Sequence, residues 1–95
     1  MAKVKRILQT PSFKRTVKKL HKNQKRDLDK AIKTLADEPL LGQQKKGDLV
    51  FLRVYKFKMA KQQTLLGYSF DKGELVLELM VLGSHENFYR DIKKR

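Results

Sequence analysis

The chain has 95 residues, enough for one small hydrophobic core, so we expect a single domain over residues 1–95. Its 23 lysines and arginines against 10 acidic residues give a net charge of +13, which favours nucleic acids or acidic proteins as partners. No apolar run approaches the roughly 20 residues that span a bilayer, and the basic N-terminus lacks a signal-peptide core. Without cysteine, disulfides and thiolate metal sites are excluded. We therefore expect a cytoplasmic protein with no membrane partner, metal or cofactor.

The first predicted elements are a strand and a helix. Val4–Gln9 is typical of a short strand, and Thr10 followed by Pro11 is typical of a helix start, because threonine caps the first turn and proline suits its first position. Phe13 and Val17 then recur at the spacing of one helical face. A short helix should therefore follow the first strand.

A second helix is predicted from Gln24 to Ala36, after a turn at residues 21–23. Asp27 and Asp29 lie near its start, where they would favour the positive end of the helix dipole. Pro39 ends the helix, because the residue before proline disfavours the helical conformation. The two helices should form a hairpin that covers one face of a sheet.

A loop and three strands complete the chain. The loop, Leu40–Asp48, contains two glycines and adjacent lysines, and Gly73 is placed to adopt a positive φ in the last hairpin turn. Because the connections are short, consecutive strands must be antiparallel. The predicted strands are Phe51–Met59, Thr64–Phe70 and Leu75–Leu82.

The resulting fold class is α+β with the order β-α-α-β-β-β. A helical hairpin packs on one face of a twisted, mainly antiparallel four-stranded sheet, and a short helix or turn begins near His85. The sequence leaves open which strand the first one joins. No repeat or linker divides the chain.

The strand Phe51–Met59 has two sets of alternating side chains. Successive side chains of a strand point to opposite faces, so the set with Tyr55 and Phe57 should face the helices. Lys56 and Lys58 belong to the other set and should lie on the uncovered face.

These lysines could act with His85 and Tyr89, which follow the last strand, on an RNA phosphate. An imidazole, whose unperturbed pKa is about 6.5, could serve as general acid or base while the ammonium groups stabilise the phosphate charge. Tyr89 could stack on a base. Each residue also has a structural alternative to a functional role. Lys56 and Lys58 could be solvated surface residues, His85 could make a structural hydrogen bond, and Tyr89 could pack on the sheet. The turn residue His21 is not a catalytic candidate.

The chain resembles the RelE/ParE superfamily of bacterial type II toxins over nearly its whole length. The segment Tyr55-Lys56-Phe57-Lys58-Met59 is similar to the lysine-bearing strand of RelE, and Gly83-Ser84-His85 followed by Tyr89 is similar to the end of the YafQ branch. The resemblance implies a metal-independent, ribosome-dependent mRNA endonuclease in which His85, Lys56, Lys58 and Tyr89 are catalytic, neutralised by an acidic antitoxin.

One position departs from that pattern. RelE-type nucleases carry an arginine in the strand after the lysines, and the matching residue here is Leu65. Arg53 or Lys61 could substitute for it, although neither follows from the motif. The ParE branch, whose members inhibit DNA gyrase without cutting RNA, therefore remains an alternative, as does a non-toxic basic nucleic-acid-binding module.

Further basic residues complete the predicted contacts. Two groups are distinguished by their place in the chain: possible RNA-phosphate ligands near the sheet, and a docking surface on the helices for ribosomal RNA or the antitoxin. The first group is Lys45, Lys46, Arg53, Lys61 and Arg90, and the second is Lys18, Lys19, Lys25 and Arg26. Codon preference, the general base, the mode of neutralisation and the oligomeric state are not determined by the sequence.

Overall fold

The computed structural model describes residues 4–47, 51–84 and residue 88. Two helices lie on one face of a five-stranded sheet. The elements in chain order are β1 (Arg6–Gln9), α1 (Pro11–Lys18), α2 (Lys22–Asp37), β2 (Gln43–Gln44), β3 (Arg53–Met59), β4 (Gln62–Asp71) and β5 (Val76–Gly83). The α+β class and the order of the predicted elements are confirmed, and the boundaries of the elements differ from the predicted ones by a few residues.

The sheet has one strand more than predicted. Its order is β1-β5-β4-β3-β2, and the extra strand β2 lies inside the predicted loop, where Gln43 and Gln44 pair with Val54 and Arg53. Two residues are too few to show an alternating pattern, which is why the sequence did not indicate this strand. The sheet is otherwise antiparallel, except that β1 joins β5 in parallel.

Thr10 fixes the start of α1 to the sheet. Its hydroxyl accepts a hydrogen bond from Phe13 N at 3.1 Å and donates one to Met80 O at 3.0 Å. The first bond is the predicted N-cap, and the second ties the cap to β5. One buried threonine thus sets both where the helix begins and where it sits on the sheet.

Both faces of the sheet carry buried side chains. The main cluster lies between the helices and the sheet and consists of Phe13, Leu28, Leu35, Met59, Leu66, Tyr68, Leu77, Leu79 and Leu82. A second cluster lies on the other face and consists of Leu52, Val54, Leu65, Met80, Val81 and Phe88. We call this second side the lysine face, because Lys56 and Lys58 also belong to it.

The β3–β4 hairpin turns through two residues with positive φ, Ala60 at 52° and Lys61 at 70°. This geometry matches the twist of the flanking strands. The carboxylate of Asp27 on α2 accepts a hydrogen bond from Ala60 N at 2.8 Å. The prediction that Asp27 and Asp29 serve the helix dipole is wrong, since α2 begins at Lys22 and has no acidic residue in its first turn. Asp27 holds the hairpin instead.

Replacing Asp27 should loosen the hairpin that carries the two lysines. We expect Asp27→Ala to lower the free energy of unfolding by about 1–2 kcal/mol, because a partly buried N–H loses a charged acceptor. Asp29→Ala is the matched control, since Asp29 is an exposed carboxylate of the same helix, and it should change stability by less than about 0.5 kcal/mol. Urea unfolding checks both values, and equal losses would contradict the role given to Asp27.

The β4–β5 turn is closed by an aspartate side chain and does not depend on a positive φ at Gly73. Asp71 Oδ1 accepts hydrogen bonds from Gly73 N at 2.9 Å and Glu74 N at 3.2 Å, so the side chain closes the turn. The positive φ falls on Leu75, at 57°. The expectation that Gly73 supplies it is wrong.

The helices are short and amphipathic. Among the described residues, no helix combines the length and the apolar character that crossing a bilayer requires.

Candidate functional site

Lys56 and Lys58 lie where the alternation in β3 predicts. Both side chains are exposed and belong by strand alternation to the lysine face, while Tyr55 and Phe57 pack against the cluster under the helices. Lys58 also lines a shallow cavity with residues of α2. The strand register places Lys56 opposite Leu65 and Lys58 opposite Gln63 of β4. Two ammonium groups therefore stand on one face of one strand, two residues apart, a spacing of roughly 6–7 Å along the chain.

Leu65 belongs to the hydrophobic cluster of the lysine face and is 2% exposed. It lies between Lys56 of β3 and Gly83 of β5 in the strand register. The position at which the resemblance would place an arginine is therefore filled by a core side chain. An isolated guanidinium there would have to leave this cluster or bury its charge.

The lysine face is partly covered, in contrast to the expectation that it is bare. Phe88 is fully buried on it, and a Cβ atom added to Gly67 would lie 2.7 Å from Phe88 Cζ. Phe88 N donates a hydrogen bond to Ser84 O at 2.8 Å. The absence of a side chain at Gly67 lets the aromatic ring lie directly on the sheet, a contact that residues so far apart in sequence did not reveal.

His85, Tyr89 and Arg90 lie outside the described residues, so the roles predicted for them stay predictions. The described chain reaches Gly83 at the end of β5 and Ser84 immediately before His85. Gly83 is paired with Leu65, which in turn is paired with Lys56.

Arg53 lies on the opposite side of β3 from the lysines. Its Nη1 donates to Leu40 O at 3.1 Å and to Gly42 O at 2.7 Å, so the guanidinium holds the loop that precedes β2. Lys61 is exposed in the β3–β4 turn, at the end of the same hairpin as Lys58. Of the two residues considered as replacements for the missing arginine, neither is brought beside Leu65 by the strand register.

The remaining basic residues are divided between the loop and the helices. Lys46 is exposed and Lys45 is partly buried, with its N–H donating to Leu52 O at 2.9 Å. The predicted docking residues are all exposed and lie on α1, on α2 or just between them; they are Lys18, Lys19, Lys25 and Arg26. Because the helices cover the other side of the sheet, the structure separates this docking surface from the lysine face.

Tyr68 fixes the loop between α2 and β2, a role that the sequence did not indicate. Its hydroxyl donates to Pro39 O at 2.8 Å and accepts from Gly42 N at 2.8 Å. Burial raises the pKa of the Tyr68 hydroxyl above its usual value of 10.0, opposed by the Gly42 hydrogen bond and by the charge of Arg53. A Cβ at Gly42 would lie 2.6 Å from this hydroxyl. The sequence feature that comes nearest to indicating this contact is Gly42, three residues after Pro39.

Removing the Tyr68 hydroxyl should destabilise the protein in a pH-dependent way. We expect Tyr68→Phe to lower the free energy of unfolding by about 2–3 kcal/mol near pH 7, because two buried backbone groups lose their partner. Because the pKa is raised in the folded state, the hydroxyl's contribution is complete below the unfolded value near pH 10 and declines as the pH rises above it.

The measurement is urea unfolding of both proteins at neutral pH and above pH 10, where the difference between them should shrink. Tyr55→Phe is the control, because the Tyr55 hydroxyl makes no hydrogen bond within the part of the chain that the structure describes, and that ring stacks on Phe57 at 6.0 Å. A Tyr68→Phe variant as stable as wild type would show that the hydrogen bonds of the Tyr68 hydroxyl to Pro39 O and Gly42 N do not stabilise the fold.

The chain was compared with known protein families and with solved structures. The chain matches the sequence model of ParE-like toxins of type II bacterial toxin–antitoxin systems over residues 7–93. Its fold is similar to an arginine-to-alanine double mutant of the E. coli toxin RelE in the free state, with TM-score 0.72 and 20% identity, covering 100% of this chain and 98% of that one.

The same RelE mutant in complex with the antitoxin RelBc peptide matches with TM-score 0.66 and 17% identity, covering 97% of this chain and 95% of that one. At such identities the likeness shows the fold alone. No curated protein matches the chain significantly by sequence. The family match spans most of the chain, and the chain therefore belongs to the ParE-like toxins of type II bacterial toxin–antitoxin systems.

Proposed function

We propose that this toxin is a ribosome-dependent mRNA endonuclease of the cytoplasm that arrests translation. The observation that carries the proposal is the exposed pair Lys56 and Lys58 on β3, because the strand register joins Lys56 through Leu65 to Gly83, two residues before His85 in the sequence. Two neighbouring cations suit a phosphate, and an imidazole suits proton transfer at neutral pH.

The proposed reaction uses the RNA's own 2′-hydroxyl. A base removes the hydroxyl proton, the oxygen attacks the adjacent phosphorus, and the bond to the 5′-oxygen breaks as an acid protonates the leaving oxygen. Lys56 and Lys58 stabilise the charge that develops on the phosphate oxygens, His85 transfers a proton, and Tyr89 stacks on an unpaired base. The products are a 2′,3′-cyclic phosphate and a free 5′-hydroxyl.

Gyrase inhibition is the second candidate, and two specific observations favour it. Leu65 occupies the place of the arginine expected in a RelE-type nuclease and is buried, while Arg53 is turned to the other side of the sheet. The family model that the chain matches is also described as ParE-like. Under this alternative the lysine face binds protein and performs no chemistry. Because the family is one of toxins, a non-toxic binding module is not retained.

An acidic antitoxin is the proposed partner in either case. The similar E. coli RelE mutant has a structure in complex with an antitoxin peptide, and the +13 charge of this chain suits an acidic segment that folds on binding. The candidate contacts are the lysine face and the basic surface of the helices.

Transcript mapping after brief induction tests the proposal. Primer extension should show new 5′ ends inside translated codons within minutes, and these ends should disappear when initiation is blocked. Purified protein should leave DNA supercoiling by gyrase unchanged. Intact transcripts together with inhibited supercoiling would overturn the nuclease and establish the second candidate.

A further inference from the structure

A separate pocket lies at the end of the sheet near β2, away from the lysine face. It has a volume of about 270 Å³, slightly below the range of roughly 300–1,000 Å³ typical of drug-sized ligands. Its lining residues are Leu40, Gln44, Phe51, Arg53, Phe70 and Lys72, and we call it the aromatic pocket. Arg53 and Phe70 belong to the helix-facing side of the sheet, so this pocket and the lysine pair lie on different faces.

The aromatic pocket has a fixed wall. Arg53 donates to the carbonyl oxygens of Leu40 and Gly42, at 3.1 and 2.7 Å, and Tyr68 holds the same loop through Pro39 O and Gly42 N. Four hydrogen bonds thus tie the loop to the sheet. A ligand would therefore meet one wall that is already in place before binding, which reduces the entropic cost of association.

The chemistry of the pocket suits an unpaired nucleobase. Phe51 is 50% exposed, an unusual state for a phenylalanine, so about half of its surface is open to a ligand. Lys72 and Arg53 supply positive charge. Stacking on aromatic rings beside cations is the usual way in which proteins bind single-stranded nucleic acid.

Among the residues that the structure describes, those that line the pocket include no carboxylate. The nearest in sequence, Asp71, adjoins Lys72, but its Oδ1 accepts hydrogen bonds from Gly73 N and Glu74 N and so serves its own turn. The charged side chains among the described lining residues, Arg53 and Lys72, are both cations, which favours a phosphate-bearing ligand over a basic one.

We propose that the aromatic pocket binds one unpaired base of single-stranded RNA, stacked on Phe51, with the adjoining phosphate held by Lys72. It is a second RNA contact that anchors the strand apart from the proposed cleavage site. The inference goes beyond the proposed nuclease and does not require it, because the pocket binds RNA whether or not the lysine face cuts it.

The test is binding of a fluorescent 2′-O-methyl RNA hexamer, which lacks the hydroxyl needed for cleavage. Fluorescence anisotropy should show that Phe51→Leu weakens binding roughly tenfold, because an apolar side chain remains but the stacking surface is lost. Lys72→Gln should lower the slope of log affinity against log salt by about one, the effect of losing one phosphate contact.

Matched control variants separate these effects from a general loss of RNA affinity caused by removing any exposed apolar side chain or any positive charge. Leu41→Ala alters a 46% exposed apolar residue of the same loop that does not line the pocket, and Lys33→Gln removes an exposed charge of α2. The Leu41 variant should bind within twofold of wild type, and the Lys33 variant should leave the salt slope nearly unchanged. Photocrosslinking with 5-iodouridine should label the peptide that contains Phe51.

Three results would overturn the proposal. The first is equal affinity of Phe51→Leu and wild type for the hexamer. The second is crosslinking confined to peptides of the lysine face. The third is a Phe51→Leu variant that loses affinity for an acidic antitoxin peptide but not for RNA, which would make the aromatic pocket a protein-docking site. Because the hexamer cannot be cut, none of these results depends on nuclease activity, which transcript mapping tests separately.

Discussion

A Lys56→Ala/Lys58→Ala double variant is expected to cut mRNA at least about 100-fold more slowly than wild type. Under the proposed mechanism these ammonium groups stabilise charge that develops on the phosphate, and losing a donor of this kind typically costs roughly 10²–10³ in rate. Both side chains are exposed on the lysine face, so the fold should persist. Cleavage of a defined message by purified protein on programmed ribosomes measures the change.

The control for the double variant removes the same charge elsewhere. Lys22 and Lys33 are exposed residues of α2, on the other side of the sheet, and Lys22→Ala/Lys33→Ala lowers the net charge by the same two units. If both double variants lose the same activity, the effect is one of net charge and the lysine face is not the site. If the Lys56/Lys58 variant remains toxic with transcripts intact, gyrase inhibition is favoured.

Phe88→Ala should have the largest effect on stability, lowering the free energy of unfolding by about 3–5 kcal/mol. The ring is fully buried against Gly67 and the second hydrophobic cluster, so truncation leaves a cavity on the lysine face. Under the proposed mechanism cutting should also fall, because Phe88 lies in the sequence between the proposed site residues His85 and Tyr89. Urea unfolding measures the loss, and Phe51→Ala, at a half-exposed ring, should cost much less.

Gly67→Ala tests the same contact from the sheet. The added Cβ would lie 2.7 Å from Phe88 Cζ and 3.3 Å from Leu52 Cδ1, so the ring must shift, at a cost of about 1–3 kcal/mol. A shorter side chain at position 88 should relieve the clash, and Phe88→Leu combined with Gly67→Ala should be more stable than the sum of the two single losses indicates. Strictly additive losses would show that the two positions do not touch.

Much of the fold follows from local patterns. Thr10-Pro11 indicates the start of α1, and the alternation of side chains along β3 is enough to separate Tyr55 and Phe57 from Lys56 and Lys58. These features depend on neighbouring residues, through caps and the two-residue period of a strand, so the sequence displays them directly. The toxin family is likewise recognisable from the lysine strand and the residues after β5.

Other features depend on residues far apart in the chain. The parallel pairing of β1 with β5, the two-residue strand β2 and the bond from Asp27 to Ala60 each need the folded chain to bring their partners together. The Asp71 side chain closes the last turn, and the positive φ therefore falls on Leu75 instead of Gly73.

The charge, the fold class and the two lysines on one strand face were therefore determined by the sequence alone, since each depends on composition or on short-range periodicity. Only the tertiary structure decided that Leu65 is a core residue, that Arg53 is turned away from the lysines, and that Phe88 covers part of their face. Those outcomes depend on which strands become neighbours and on the space that Gly67 leaves, and no local pattern encodes either.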